Sequence, residues 1–179
     1  GMSTFIEIIV GLAVLGFLLM VFYAAMKPTD NTRVVIEELT PLKLEIMDDK
    51  EAVFSTQMPL RNNGVEDAAI TDVFARPYLP QEQFPDAVCW AHVETPHRRR
   101  NDNYFEALIL KANTEVPLIV TLHYEARNDK NIKEVLSKMV DMDAAVYYNG
   151  MARKAIYIKK NFFTIHREVI TNLVGGNKQ

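Results

Sequence analysis

A chain of 179 residues with a net charge of −3, 24% charged residues and 49% apolar ones is not basic enough for wholesale nucleic-acid binding. Nor is it polar enough to stay disordered, and it has no acidic tail. Its single cysteine, Cys89, excludes an intrachain disulfide and any cysteine-cluster metal site.

The first element in chain order is the run IIVGLAVLGFLLMVFYAAM, which holds no charge from Ile8 to Met26. A helix that packs one side onto a soluble core keeps a polar back, and this run is apolar all round. At about 1.5 Å per residue its roughly 19 residues span about 28 Å, close to the ~30 Å of bilayer hydrocarbon. A cleaved secretory signal would place Lys or Arg ahead of a shorter apolar core and small residues at its exit. Here no Lys or Arg precedes Phe5, and Phe22 and Tyr23 stand near the exit. The expectation is an uncleaved single-pass anchor over residues 5–27, following a tail of residues 1–4, with the lipid bilayer of the cell (inner) membrane as its partner. The Gly ahead of Met2 reads as an addition to the natural start. Tyr23 and Lys27 suit headgroup level, and Pro28 stops the helix. Lys27 and Arg33 on the C-terminal flank favour a cytoplasmic domain by the positive-inside rule, whereas tethered β-sandwiches are common outside the cytoplasm. The side stays open.

Within this helix Glu7 is the one carboxylate, placed where it reaches the interface near a helix N-terminus that favours negative charge. Gly11 and Gly16, with Ala13 between them, offer small residues on which a second membrane helix could close, although their spacing is not GxxxG. The stretch TFIEIIVGLAVLG resembles the N-terminal helix of type IV pilins and pseudopilins. That resemblance implies a filament subunit in which Glu7 is the packing glutamate. The chain departs from the pattern at Met2, where a Gly should precede the processed start, and at Lys27-Pro28, where the pilin helix would continue.

Residues 28–33 form a short polar linker, which predicts a domain close to the bilayer, and residues 34–174 are the size of one domain. From Val34 the period changes to two: Leu42, Leu44 and Ile46 alternate with Lys43 and Glu45. Nine apolar runs follow one another as candidate strands, from VVIEEL to ARKAIYIKK. Asn62-Asn63-Gly64 and Asn149-Gly150 carry tight-hairpin chemistry, the second more strongly. Pro41, Pro59, Pro77, Pro80, Pro85, Pro96 and Pro117 are expected at strand ends. Many short strands without alternating helices predict an all-β fold, an immunoglobulin-like antiparallel β-sandwich. NIKEVLSKMVDM breaks the pattern as one short inserted helix, capped by Asn131 with Glu134 at capping-box spacing and presenting Ile132, Val135, Leu136, Met139 and Val140 on one face. FFTIHREVITNL reads equally as strand or helix, and residues 175–179 as a frayed tail.

Catalytic chemistry finds little support. Cys89 lies between Val88 and Trp90 in an apolar strand and reads as a buried thiol. His92 and His123 fall in separate strands and could lie side by side, but zinc wants three or four ligands; His97 and His166 add no metal spacing. No nucleophile elbow, phosphate-binding loop or dinucleotide fingerprint occurs, so no cofactor, no metal and no enzyme activity are expected. Asp48-Asp49 and Glu37-Glu38 read as solvated carboxylates flanking strands. Tyr124, late in the row Leu118, Val120, Leu122, suggests a tyrosine corner whose hydroxyl bonds a nearby backbone group. Arg98, Arg99 and Arg100 in the loop TPHRRRNDNY are the one textured feature, a candidate contact for lipid headgroups or a carboxylate-rich partner rather than nucleic acid. The expected function is a non-catalytic, membrane-anchored interaction or assembly module, an accessory subunit with protein partners in a membrane or envelope complex. The alternatives are the filament subunit and a domain binding a small ligand or metal.

Overall fold

The computed structural model describes residues 1–26, 30–99, 102, 104–153 and 155–175. Lys27 and Pro28, expected to end the helix, lie outside the described residues, as do Arg100 and residues 176–179 of the expected tail.

Helix α1 (Met2–Met26) buries none of its residues against the rest of the chain and is long and apolar enough to cross a membrane. It begins at Met2, so residues 2–4 join the helix rather than forming a tail: Ser3 and Thr4 cost little at a helix start. The rest of the chain is mostly β. Its strands are β1 (Thr32–Val34), β2 (Lys43–Met47), β3 (Glu51–Asn62), β4 (Ala68–Pro77), β5 (Ala87–Glu94), β6 (Leu108–Leu110), β7 (Thr114–Ala126), β8 (Met142–Ala152) and β9 (Ala155–Ile165). Eight of the nine apolar runs fall on one of these strands; the first, VVIEEL, meets β1 only at Val34 and turns as a 3-10 helix over Ile36–Glu38.

Every pairing is antiparallel. One sheet, A, has the order β1-β3-β7-β5 with β2 also on β3; the other, B, has the order β6-β4-β8-β9. Their inner rows share one core: Phe54, Met58 and Leu60 of β3 and Leu118, Val120, Leu122 and Tyr124 of β7 lie against Ile70 and Val73 of β4 and Val146 and Tyr148 of β8. Each fully buried side chain of this size contributes about 1.5–3 kcal/mol, and Phe54 meets Tyr124 edge to face at 5.6 Å. Helix α2 (Ile132–Ser137) links β7 to β8 and buries Ile132, Val135 and Leu136, with the Asn131 side chain accepting from the Lys133 N–H at 2.9 Å. FFTI completes β9, and α3 (Arg167–Gly175) follows it, so the ambiguous C-terminal run is a strand and then a helix.

Four local expectations are corrected. Asn149-Gly150 lies inside β8, and the hairpin turns three residues later, between Ala152 and Ala155. Gly150 serves packing instead, since a Cβ there would collide with the ring of Tyr157 directly across the ladder. Asn62-Asn63-Gly64 makes no hairpin either, because β3 and β4 belong to different sheets. The buried Asn62 side chain organises that crossover: its amide donates to the carbonyls of Glu66 and Leu110, and its oxygen accepts from the N–H groups of Asn31 and Gly64. The β2–β3 hairpin is instead turned by Asp48, which accepts from the N–H groups of Lys50 and Glu51 at 2.8 and 2.7 Å. Pro59 and Pro117 are not at strand ends but face each other in the middle of the β3–β7 ladder. The Pro59 carbonyl accepts from Val35, so its nitrogen also points away from β7, and no ladder bond is lost there. Tyr124, finally, pairs with the Cys89 thiol on β5 rather than closing a tyrosine corner; burial pushes that thiol up to about 12.

One hydrogen-bond chain clamps the start of the body. Tyr148 donates to Thr32 at 3.2 Å, Thr32 lies 2.8 Å from the Tyr157 hydroxyl, and Tyr157 donates to Asp30 at 2.6 Å. Burial is the first cause that raises the Tyr148 and Tyr157 hydroxyls above the usual range. From Met26 to the clamped Asp30 the chain reaches at most about 14 Å.

Candidate functional site: the outer faces of the two sheets

The outward side of sheet B is an exposed apolar surface. On β9, period-two alternation turns Phe163 and Ile165 inward and leaves Ile156, Ile158 and Phe162 at 77%, 72% and 56% exposure. Ile109 of β6 and Met151 of β8 extend this surface, and β9 is the free edge of the sheet. At its centre Phe74 stacks on its cross-strand partner Tyr147 at 4.8 Å, and Tyr78 leans on Phe162 at 6.3 Å. The Tyr78 and Tyr147 hydroxyls lie 2.6 Å apart. Lys160 reaches over the rings, 4.5 Å from Phe162 and 5.0 Å from Tyr147, a cation–π arrangement. The ammonium holds the Tyr147 hydroxyl below its usual range, and Tyr147 in turn raises Lys160.

The outward side of sheet A is polar and inward-leaning. Three cross-strand rows run over β3, β7 and β5: Val53–His123–Trp90, Ser55–Thr121–His92 and Gln57–Ile119–Glu94. All of these residues except Trp90 line an open groove of about 680 Å³. Trp90 stacks flat on His123 at 3.7 Å and keeps water from one face of that ring. His123 Nδ1 lies 3.3 Å from a Glu51 oxygen, and His123 Nε2 lies 3.2 Å from His92 Nδ1. His92 Nε2 faces Glu94 at 3.8 Å, and Glu94 accepts from Arg99 at 2.8 Å. Burial and then the neighbouring imidazole hold His92 below the usual histidine range, while Glu94 opposes them. Directly across from His92, the Thr121 hydroxyl is buried without a hydrogen-bond partner among the described residues.

The two faces absorb some of the residues singled out from sequence. Arg98 and Arg99 are both exposed and each has a carboxylate partner: Arg98 pairs with Glu106 at 2.9 Å and Arg99 with Glu94 at 2.8 Å. The loop that carries them leaves β5 at Glu94, whose partner Ile119 lies in the half of β7 nearer Thr114, the end at which β1 also pairs with β3. His92 and His123 do meet, whereas His166 pairs with Asp141 at 3.6 Å elsewhere. Glu7, Gly11 and Gly16 stand on α1, all exposed, and among the described residues no other part of the chain packs against the two glycines. No three His, Cys, Asp or Glu groups converge on a point among the described residues. Sequence reasoning missed the Phe74–Tyr147–Lys160–Phe162 cluster; the signal was ARKAIYIKKNFF itself, where both faces of one strand are apolar.

No protein-family model matches the chain, and no curated protein matches it. Among solved structures it is similar to a protein from Archaeoglobus fulgidus, with 9% identity over 74% of this chain and 94% of that one and a TM-score of 0.42. A FixG-related protein from Vibrio parahaemolyticus matches over 76% of this chain and 96% of its own, at 7% identity and a TM-score of 0.31. The GAE domain of GGA2p from Saccharomyces cerevisiae matches over 70% and 98%, at 7% identity and a TM-score of 0.30.

Proposed function

We propose that the protein is a non-catalytic, single-pass membrane-anchored module of immunoglobulin-like β-sandwich type, which assembles with another membrane protein through the outer face of sheet B. The observation that carries this reading is the set of exposed side chains Ile156, Ile158, Phe162 and Phe74, with half-buried Tyr147 beside them and Lys160 among the rings, on and next to the edge strand β9. A monomeric soluble domain rarely leaves a large apolar patch in water. α1 supports the anchor by its length and uniform apolarity. The clamp at Asp30 supports a body held near the bilayer, within reach of partners in the same membrane. With Lys160 and Arg76 on this face, the partner surface is apolar with carboxylates at its rim.

A photo-crosslinking residue placed at position 162 of the full chain, in its native membrane, tests the proposal. One discrete adduct with a second membrane protein is expected, lost in Ile158→Asp and absent when the probe sits at exposed position 125 on sheet A. Adducts with lipid alone, or none at native expression, would overturn it.

A further inference from the structure

We propose that His92 and His123 form a two-histidine site for a divalent first-row transition metal of the class that imidazole binds, Zn2+ or Cu2+. The ring protons decide which imidazole nitrogens are open to a metal. A carboxylate only accepts, so Glu51 at 3.3 Å places the proton of His123 on Nδ1 and leaves a lone pair on Nε2. Glu94 lies 3.8 Å from His92 Nε2, longer than a hydrogen bond, so His92 is free to donate its Nδ1 proton to His123 Nε2 at 3.2 Å. In the metal-free protein that proton fills the gap between the two rings, and a metal ion would take its place as His92 shifts its proton to Nε2.

A metal fits that gap. With nitrogens 3.2 Å apart and metal–nitrogen bonds of about 2.0–2.1 Å, the angle at the metal is about 100–106°, near tetrahedral. His123 already carries on its far nitrogen a carboxylate of the kind that orients metal-ligating histidines, Glu51 at 3.3 Å, and Glu94 at 3.8 Å from the far nitrogen of His92 would favour the shifted proton there. Thr121, across from His92 and two residues from His123 on β7, supplies an independent sign. Its buried hydroxyl has no partner among the described residues, and a water on the metal would answer it. The groove is open to solvent, so waters complete the coordination and the ion has a path in. Trp90, flat against His123, fixes the ring and excludes water from that side.

The test titrates Zn2+ and Cu2+ separately into the untagged full chain in detergent micelles at neutral pH. One ion per chain is expected, with a rise in melting temperature. His92→Gln and His123→Gln should each weaken binding at least tenfold, and Glu51→Gln roughly tenfold through lost orientation of His123. Circular dichroism of each variant checks that the β body is intact. Should the histidine variants fail to fold, electron paramagnetic resonance of Cu2+ on the unaltered chain decides the matter. Coupling to two imidazole nitrogens supports the site. No binding at millimolar metal, no nitrogen coupling, or undiminished binding in the folded histidine variants would each overturn it.

Discussion

The outer faces of the two sheets have opposite chemistry on one shared core. On sheet A the outward groups satisfy one another: Glu51, His123, His92, Glu94 and Arg99 form a line of contacts beneath Trp90. On sheet B many of the outward groups are rings and aliphatic side chains, with Lys160 and Arg76 among them, and Ile156, Ile158 and Phe162 meet mostly water. A residue bonded into a network belongs to the fold and resists replacement, whereas an exposed apolar residue contributes little to its own domain and is free to serve a partner.

The largest effect is expected on sheet A. His123→Ala should cost about 2 kcal/mol of unfolding free energy in metal-free denaturant titrations, because it leaves His92 and Glu51 without their partner and Trp90 without its stacked ring. A cost within about 0.5 kcal/mol would erase the contrast between the faces.

Acid should expose the same difference. His92 has a lowered folded pKa, so its contribution is fully present above the unfolded value of about 6.5 and is lost as pH falls through the folded one. The groups facing it, His123, Glu94 and Arg99, shape that window, with Glu94 alone favouring the charged ring. Metal-free melting temperature is therefore expected to drop below about pH 6.5, with a shallower slope in His92→Gln and an unchanged slope in Phe162→Ser. Equal slopes in all three chains would remove His92 as the cause.

Thr121→Val sharpens the picture from the other direction. Replacing an unpartnered buried hydroxyl by a methyl group should raise metal-free stability by up to about 1 kcal/mol. A loss of that size would mean the hydroxyl has a bonding role in the folded protein.

The smallest effect belongs to sheet B. Ile158→Ser and Phe162→Ser should each change stability by no more than about 0.5 kcal/mol in thermal melts, since both side chains are mostly exposed. A cost near 2 kcal/mol would show that the apolar face supports the fold itself.

Much of the fold was legible in local pattern. The uniform apolarity of Ile8–Met26 marks α1, alternation marks the strands, and Asn131 with its helical stripe marks α2. Turn chemistry misled where a residue type serves two purposes. Asn149-Gly150 has hairpin composition, yet Gly150 is small because Tyr157 occupies the space over it. Pro59 and Pro117 look like strand breakers, yet each lies where the ladder needs no N–H from it. Of the candidate site, the possibility that His92 meets His123 was legible; its carboxylate partners, Trp90 stacking and the buried Thr121 were not.

By itself, then, the sequence determined the apolar rod, the β character of the body and the place of the short helix, because each follows from periodicity within a few neighbouring residues. Only the tertiary structure decided that β3 and β4 part company into different sheets, that Arg98 and Arg99 are answered by Glu106 and Glu94, and which outer face is polar and which apolar. The physical reason is register. Antiparallel pairing sets residues such as Glu51 and His123, 72 positions apart, side by side, and no local pattern encodes which strand becomes the neighbour of which.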